Sequence, residues 1–223
     1  MSDSAHPSKQ ATATDDAPPQ RAQPAARISY AQYRFLVLSD LYRITGHAKP
    51  SALLRYVFHG ESYRYNFWMR TCAYAKGHPW LRYTLYPFAR LVLGHLVYKL
   101  GISIPSGTAI GSGFYIGHFG GIVVSQKATI GRNCNISQGV TIGRANRGRN
   151  RGYPVLGDNI YIGPGAVIAG SVRIGNNVAI GANCVVTMDI PDDSVVVGVP
   201  GRIISREGSA GYVNRTDYDG KLG

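Results

Sequence analysis

Large aliphatic residues return at every sixth position between residues 102 and 188. A period of six fits neither a helix, which repeats about every 3.6 residues, nor an alternating strand, which repeats every two. It is typical of a β-solenoid in which each hexapeptide forms one side of a triangular coil and neighbouring coils bury each other's aliphatic side chains. The positions are Ile104, Ile110, Ile116 and Ile122, then Ile130, Ile136 and Ile142, then Leu156, Ile162, Ile168, Ile174, Ile180 and Val186.

Two interruptions break this period. Eight residues instead of six separate Ile122 from Ile130, and fourteen separate Ile142 from Leu156. The second interruption predicts a loop over residues 143–153 that is pushed out of the coil. A regular coil needs only six residues for each side, so the additional residues are not required for the core. We therefore expect functional groups beside both interruptions.

The chain before the repeat divides into two parts. Residues 1–27 are rich in Ala, Pro, Ser, Thr and Asp, with few large apolar groups, and this composition predicts a disordered tail. Residues 28–101 carry helical patterns at 30–45, 50–59, 61–76 and 80–99, separated by Gly and Pro breaks. The predicted organisation is therefore a tail, a helical region over 28–101, a β-helix over 102–190 and a C-terminal segment over 191–223.

Composition places outer limits on the class of protein. The sequence has no apolar stretch of about 18 uncharged residues, and its first residues lack the apolar core of a signal peptide. We therefore predict a cytoplasmic protein without a transmembrane helix. Cys134 and Cys184 occupy small positions of the repeat and Cys72 lies on a predicted helix, so all three are expected to be buried thiols rather than disulfides.

The helical region is strongly basic. It holds ten Lys or Arg residues against Asp40 and Glu61, and these cations alternate with Tyr, Trp and Phe, as in residues 80–90. One interpretation is an interfacial helix that rests on anionic lipid at the inner face of the membrane. The other is a set of ordinary helices with a solvated basic face. No recognition helix or zinc pattern accompanies the charge, so neither nucleic-acid binding nor a metal site is predicted.

His118 is the candidate for chemistry beside the repeat. It follows the inward Ile116 by two residues and precedes the pair Gly120-Gly121. A side chain at this position points outward, where the glycines leave room for a ligand. The alternative is a surface histidine that caps a turn, and the spacing alone leaves both interpretations open.

From Ile102 to Ser205 the sequence resembles the hexapeptide-repeat acyltransferases, most closely the serine O-acetyltransferase branch with its relatives that acetylate bacterial polysaccharides. The resemblance is carried by residues 118–124 (HFGGIVV), 138–143 (QGVTIG), the loop that closes in Pro154, 181–186 (GANCVV) and 198–202 (GVPGR). It implies a left-handed parallel β-helix with a helical N-terminal region. It also implies a homotrimer that binds acetyl-CoA, the acyl donor, in the groove between subunits.

The resemblance also assigns roles to residues. His118 falls at the position of the catalytic base, which takes a proton from the acceptor hydroxyl. Arg202 lies in a motif that the family places near the CoA nucleotide, and a further cofactor contact is expected from Arg144. The remaining predicted contacts are with pantetheine for Gly163, Pro164 and Ala182, and with the acceptor for Gly117, Gln138, Arg151 and Tyr153.

The predicted loop 143–153 is rich in arginine. Its guanidinium groups suit the phosphates of CoA, an acidic saccharide or a lipid pyrophosphate. The other interpretation is a mobile loop whose arginines only raise solubility. The four arginines are Arg144, Arg147, Arg149 and Arg151.

Three departures from the serine enzymes shape the predicted acceptor. Gly117 stands where those enzymes have the Asp before the catalytic His, Ser103 where they have its acidic partner, and Tyr153 where they have a second His. A serine site needs a carboxylate for the ammonium group, and the matching one is missing. The sequence therefore favours transfer to a hydroxyl of a saccharide of capsule or exopolysaccharide type, with a lipid-linked intermediate as one candidate. The alternatives are serine O-acetyltransferase and a non-catalytic scaffold.

Overall fold

A computed structural model describes residues 27–222, so the predicted tail lies outside the described residues except for Arg27. Helices form where the sequence predicts them, and the last predicted segment is divided at Thr84. Ser29 caps the first helix, since its hydroxyl accepts from the Gln32 N–H while the Gln32 side chain accepts from the Ser29 N–H. The helices are α1 (Tyr30–Thr45), α2 (Pro50–His59), α3 (Glu61–Gly77), α4 (Pro79–Tyr83) and α5 (Leu85–Leu100).

Short strands follow α5 in a regular succession, each ending near a turn of the coil. Most are two or three residues long, as a six-residue side requires. They are β1 (Ile102–Ser103), β2 (Ala109–Ile110), β3 (Tyr115–Ile116), β4 (Ile122–Val124), β5 (Thr129–Ile130), β6 (Asn135–Ile136), β7 (Thr141–Gly143), β8 (Val155–Leu156), β9 (Tyr161–Ile162), β10 (Val167–Ala169), β11 (Arg173–Ile174), β12 (Ala179–Ile180), β13 (Val185–Val186), β14 (Val195–Val197) and β15 (Arg202–Ser205).

The strands build the three sides of a parallel β-helix. Sheet A has the order β1-β4-β7-β10-β13, sheet B the order β11-β8-β5-β2, and sheet C the order β15-β14-β12-β9-β6-β3. Pairs such as Ile136 and Ile162 stand in register one coil apart and are almost fully buried. Burial of one such side chain contributes roughly 1.5–3 kcal/mol, and the repeated stack therefore supplies the core.

Strand register corrects the position of the first interruption. Val124 pairs with Ile142, and Ile116 pairs with Ile136, so eight residues separate Ile116 from Val124 where the next coil has six. The two additional residues thus lie in the turn that holds His118, not between Ile122 and Ile130. Ile122 and Val124 are both buried, and either one fits the period when only the sequence is considered.

The helical region covers the open end of the first coil. Tyr65 lies at this junction: its hydroxyl donates to the Ile104 carbonyl, and the Ile104 N–H donates to the same hydroxyl, both at 2.9 Å. Asn66 donates to the Phe114 carbonyl at 2.9 Å. Because the first coil has no preceding coil to pair with, these side chains satisfy backbone groups that burial would otherwise leave without partners.

A buried ion pair belongs to the same junction. The Arg70 Nε lies 3.1 Å from an Asp40 carboxylate oxygen, and the Arg70 guanidinium also donates to the carbonyls of Ile110 and Gly111. The Phe114 N–H donates to Asp40 at 2.8 Å. Burial raises the pKa of the Asp40 carboxyl, and the Arg70 guanidinium and the Phe114 N–H oppose that shift. Two charged residues of the basic helical region therefore hold the helices on the β-helix.

The C-terminal segment returns along sheet C to the helices. Strand β15 pairs antiparallel with β14, and Tyr218 is fully buried with its hydroxyl donating to Asn133 at 2.6 Å. The three cysteines are free and buried, as predicted, and burial raises the pKa of the Cys72 thiol to about 11. Within residues 27–222, no helix is both long enough and apolar enough to span a bilayer.

Candidate functional site

His118 projects from the turn between β3 and β4, at the edge where sheet C meets sheet A. This edge is called the C–A edge below. The two additional residues push His118 and Phe119 outward, and both side chains are exposed. The structure therefore places His118 where the sequence expected it, on the outside of the coil.

Glycine is required behind this histidine. Gly121 and Gly139 have positive φ values of 66° and 73°, and they stack on each other along the C–A edge. A Cβ on Gly121 would lie 3.5 Å from the Gly139 Cα, and one on Gly139 would lie 3.2 Å from the Gly165 Cα. A side chain at either position would strain the left-handed backbone, and one at Gly139 would also press on the Gly165 backbone of the next coil.

The uncharged residues predicted to contact pantetheine or the acceptor follow along the same edge. The Gln138 carbonyl accepts from the Gly165 N–H at 2.9 Å, and the Pro164 carbonyl accepts from the Asn183 N–H at 2.8 Å. Gln138, Pro164 and Ala182 therefore occupy equivalent turns of successive coils. A Cβ on Gly163 would lie 2.8 Å from the Ala182 N, so this turn can carry only glycine without displacement.

The turn at residues 198–201 closes the far end of the C–A edge. The Gly201 N–H donates to the Val185 carbonyl at 2.8 Å, and the Val185 N–H donates to the Gly198 carbonyl at 3.1 Å. The turn thereby covers the outer edge of sheet A and leads directly into β15, whose first residue, Arg202, is exposed. One edge thus runs from a histidine, past small neutral residues, to a guanidinium group.

The arginine-rich loop lies on a different edge, where sheet A meets sheet B. It connects β7 to β8 and is closed by an antiparallel bridge between Ala145 and Gly152. Its four arginines, Arg144, Arg147, Arg149 and Arg151, are all exposed. In a single chain the predicted contacts at Arg144, Arg151 and Tyr153 are therefore separated from His118 by the width of sheet A.

Tyr153 lies beside two cations whose proximity to it the sequence did not predict. The Lys127 Nζ lies 5.4 Å from the centre of the Tyr153 ring, and the Arg144 guanidinium carbon lies 5.6 Å from it. Cations at these distances from an aromatic face are attracted by its quadrupole. Lys127 sits 26 residues before Tyr153, at the turn between β4 and β5, and only coil register reveals that the two meet.

Gly117 and Ser103 are both placed near the C–A edge. Gly117 precedes His118 and donates its N–H to the Ile136 carbonyl at 2.9 Å. Ser103 faces outward on β1, in register with Val123. Among residues 27–222, neither ring nitrogen of His118 has a hydrogen-bond partner on the same chain, and Ser103 carries no charge to replace the acidic partner of the serine enzymes. In the same residues no cluster of His, Cys, Asp and Glu has the arrangement of a metal site.

Comparison with known proteins identifies relatives of the β-helix. Residues 153–187 match the family model described as bacterial transferase hexapeptide (six repeats). Over 130 residues, 58% of this chain, the sequence is 41% identical to the serine acetyltransferase of Synechococcus elongatus and covers 53% of that protein. The serine acetyltransferase of Staphylococcus aureus strain Mu50 is 44% identical over 108 residues, 48% of this chain and 51% of that protein.

Solved structures extend the likeness into the helical region. The Neisseria gonorrhoeae serine acetyltransferase in complex with serine superposes with a TM-score of 0.64 at 29% identity. The match covers 79% of this chain and 71% of the Neisseria chain. These neighbours establish the β-helix as left-handed, as predicted. The chain spans about half the length of the curated relatives it matches.

The same relatives contradict the predicted saccharide acceptor. The proteins named above are serine acetyltransferases, and they favour the serine alternative instead. The prediction treated Gly117, Ser103 and Tyr153 as decisive, although recognition of an amino acid can use other cations and backbone groups. What the structure and the relatives have in common is the β-helix itself, and by it this chain is similar to the bacterial hexapeptide transferases.

Proposed function

We propose that the protein is an acetyl-CoA-dependent serine O-acetyltransferase with His118 as its general base. The observation that supports this most is the C–A edge, where an outward histidine, small neutral turns and Arg202 follow one another in a line. Acetyl-CoA has matching parts: a reactive thioester, a slender neutral pantetheine arm and an anionic nucleotide. The thioester would lie at His118 and the phosphates at Arg202.

The chemistry needs only one titratable group at the reacting atoms. Neutral His118 accepts the proton of the serine hydroxyl as the oxygen attacks the thioester carbonyl. The tetrahedral intermediate collapses, the carbon–sulfur bond breaks, and the imidazolium returns the proton to the departing CoA thiolate. The products are O-acetylserine and CoA, and His118 is neutral again.

The residues proposed here to recognise serine differ from those that the resemblance to the serine enzymes implies. Lys127 and Arg144 beside Tyr153 offer two cations to the serine carboxylate, so this proposal assigns Arg144 to the acceptor and not, as the sequence predicts, to the cofactor. Charge-assisted hydrogen bonds of this kind are the strong ones. Gly117 supplies no carboxylate for the ammonium group, which then relies on neutral acceptors. The proposed contacts of Gln138 and Arg151 with the acceptor belong to the same site.

The first prediction concerns the acceptor. With acetyl-CoA and L-serine, we expect CoA thiol release well above the rate without acceptor, because the hydroxyl is the attacking group. L-Alanine, which has the same ammonium and carboxylate without the hydroxyl, is the matched control and should give only the background rate. Release that is equal with L-serine and L-alanine, while acetyl-CoA still binds, would exclude serine as the acceptor.

The second prediction concerns assembly. His118 and Tyr153 lie on different edges of one chain, so a shared site requires a second chain whose A–B edge faces the C–A edge. We propose a homotrimer, which repeats this contact in a closed ring. Sedimentation equilibrium should give a mass of three chains of 24.1 kDa, about 72 kDa. A mass of one chain at micromolar concentration would contradict the shared site.

A third prediction assigns Arg202 to the cofactor. Loss of a hydrogen bond to a charged group costs about 1.5–3 kcal/mol, so Arg202→Ala should raise the KM for acetyl-CoA by roughly 10- to 100-fold. The KM for serine should change little. Arg173→Ala removes another exposed arginine, on sheet B away from the C–A edge, and serves as the control. An unchanged KM for acetyl-CoA in Arg202→Ala would remove this residue from the cofactor site.

The cytoplasmic location and the peripheral membrane contact expected from the sequence remain proposals. The first rests on the hydropathy pattern of the sequence. The second concerns the surface of α4 and α5, outside the proposed active site. The division of the chain into a tail, helical region, β-helix and C-terminal segment also remains a prediction.

A further inference from the structure

Helix α5 exposes apolar side chains on the face opposite its core contacts. Ala89, Leu93, Leu96 and Leu100 are buried against α3 and the first coil. On the outer face, residues 88, 91, 95 and 98 follow each other at helical spacing, and three of them are large and apolar. A surface helix of a globular protein normally carries polar residues on this face.

The exposed apolar surface continues onto α4. We call it the aromatic stripe and define it as Trp80, Tyr83, Phe88, Leu91 and Tyr98. Trp80 is 86% exposed, Leu91 75% and Tyr98 89%. The Phe88 ring packs edge-on against Trp68 of α3 at 5.6 Å between ring centres, so the stripe is anchored to α3 at this residue.

The charges around the stripe have one sign. Lys76 at the end of α3, Arg82 on α4, and Arg90 and Lys99 on α5 are exposed. The sequence contains no Asp or Glu between Glu61 and Asp158, so α3 after its first residue, all of α4 and α5, and the first coils carry no carboxylate side chain. The surface around the stripe therefore attracts anions over its whole extent.

We propose that the aromatic stripe and its surrounding cations dock this protein on the surface of an anionic phospholipid bilayer. Trp and Tyr prefer the depth of lipid headgroups, where an aromatic ring meets the acyl boundary, and Lys and Arg meet the phosphates above it. The stripe lies beside the first coil, because α5 packs directly against β1. Docking would thus place the N-terminal end of the β-helix at the membrane.

A second copy of the chain fits this surface less well. A symmetric contact would bring the stripe against itself and place Arg82, Arg90 and Lys99 near their own counterparts. Like charges brought together in this way oppose association, and no acid of these helices offsets them. An anionic lipid surface satisfies both features, since it accepts the apolar side chains and neutralises the cations.

Vesicle co-sedimentation tests this proposal on the full chain. The protein should pellet with vesicles of phosphatidylcholine and phosphatidylglycerol but not with phosphatidylcholine alone, and binding should weaken as salt shortens the screening length from about 10 Å at 0.1 M. Arg82→Ala and Lys99→Ala should each reduce the partition coefficient about fivefold. Arg173→Ala, the same change on sheet B, should leave it unaltered.

The double variant Trp80→Ser/Tyr98→Ser tests the apolar contacts and should abolish vesicle binding. The control Ile204→Ser removes an exposed apolar group from β15 and should leave vesicle binding unchanged. In a Trp68→Phe background, Trp80 is the remaining tryptophan, and its emission should shift to shorter wavelength on anionic vesicles. Acetyl transfer in solution should be unchanged in the double variant, so this test is independent of the proposed reaction. The proposal would be overturned if Trp80 emission is unchanged and the protein stays in the supernatant. It would also be overturned if the protein self-associates and Trp80→Ser/Tyr98→Ser abolishes that self-association.

Discussion

Replacement of His118 by alanine should reduce acetyl transfer by about 10²- to 10⁴-fold, the range that a positioned general base contributes. The side chain is exposed in the turn between β3 and β4 and supports no core contact, so the fold should persist. The expected loss is in kcat, because the base acts in the transition state and not in binding acetyl-CoA. Stopped assays of CoA release measure kcat, and circular dichroism verifies that the variant is folded.

His59→Ala is the matched control for this substitution. His59 is also exposed, but it lies at the end of α2 away from the β-helix, and its loss should leave kcat unchanged. A folded His118→Ala protein with turnover close to that of the unmodified protein would exclude His118 as the base. Loss of activity in both variants would point to a general effect on the protein instead.

Replacement of Asp40 by alanine should destabilise the protein by roughly 3–5 kcal/mol, because it leaves the buried Arg70 guanidinium without its counter-charge. Asp40 and Arg70 are 1% and 6% exposed, and Asp40 also accepts the Phe114 N–H. Thermal unfolding at a fixed protein concentration should show a fall in Tm on the order of 10 °C.

Asp219→Ala provides the comparison with an exposed ion pair. Asp219 accepts from Arg132 at 2.6 Å, but both side chains are well exposed, so its loss should cost less than about 1 kcal/mol. If Asp40→Ala unfolds at the same temperature as Asp219→Ala, the Asp40–Arg70 pair does not hold the helices on the first coil. A change in Tm of the expected size with retained activity would assign the pair to stability alone.

The site could be predicted in part from local spacing. His118 lies outside the coil because it follows an inward aliphatic by two residues and precedes a Gly pair, and both features belong to one short segment. Lys127 was missed because its distance from Tyr153 is set by coil register across the loop, not by separation in sequence. Likewise, the charge count of the helical region showed its basic character but not which cations are buried.

Sequence alone determined the β-helix, because its fold repeats one local rule: an aliphatic every sixth residue, packed on its equivalent one coil away. It also determined the helices of the N-terminal region, since Gly and Pro separate them at short range. Only the tertiary structure decided which of Ile122 and Val124 continues the period, because both are buried and the choice depends on which of them pairs with Ile142 in the next coil. It likewise decided that Asp40 and Arg70 close the first coil, since an unpaired backbone edge becomes visible only when the helices have docked on it.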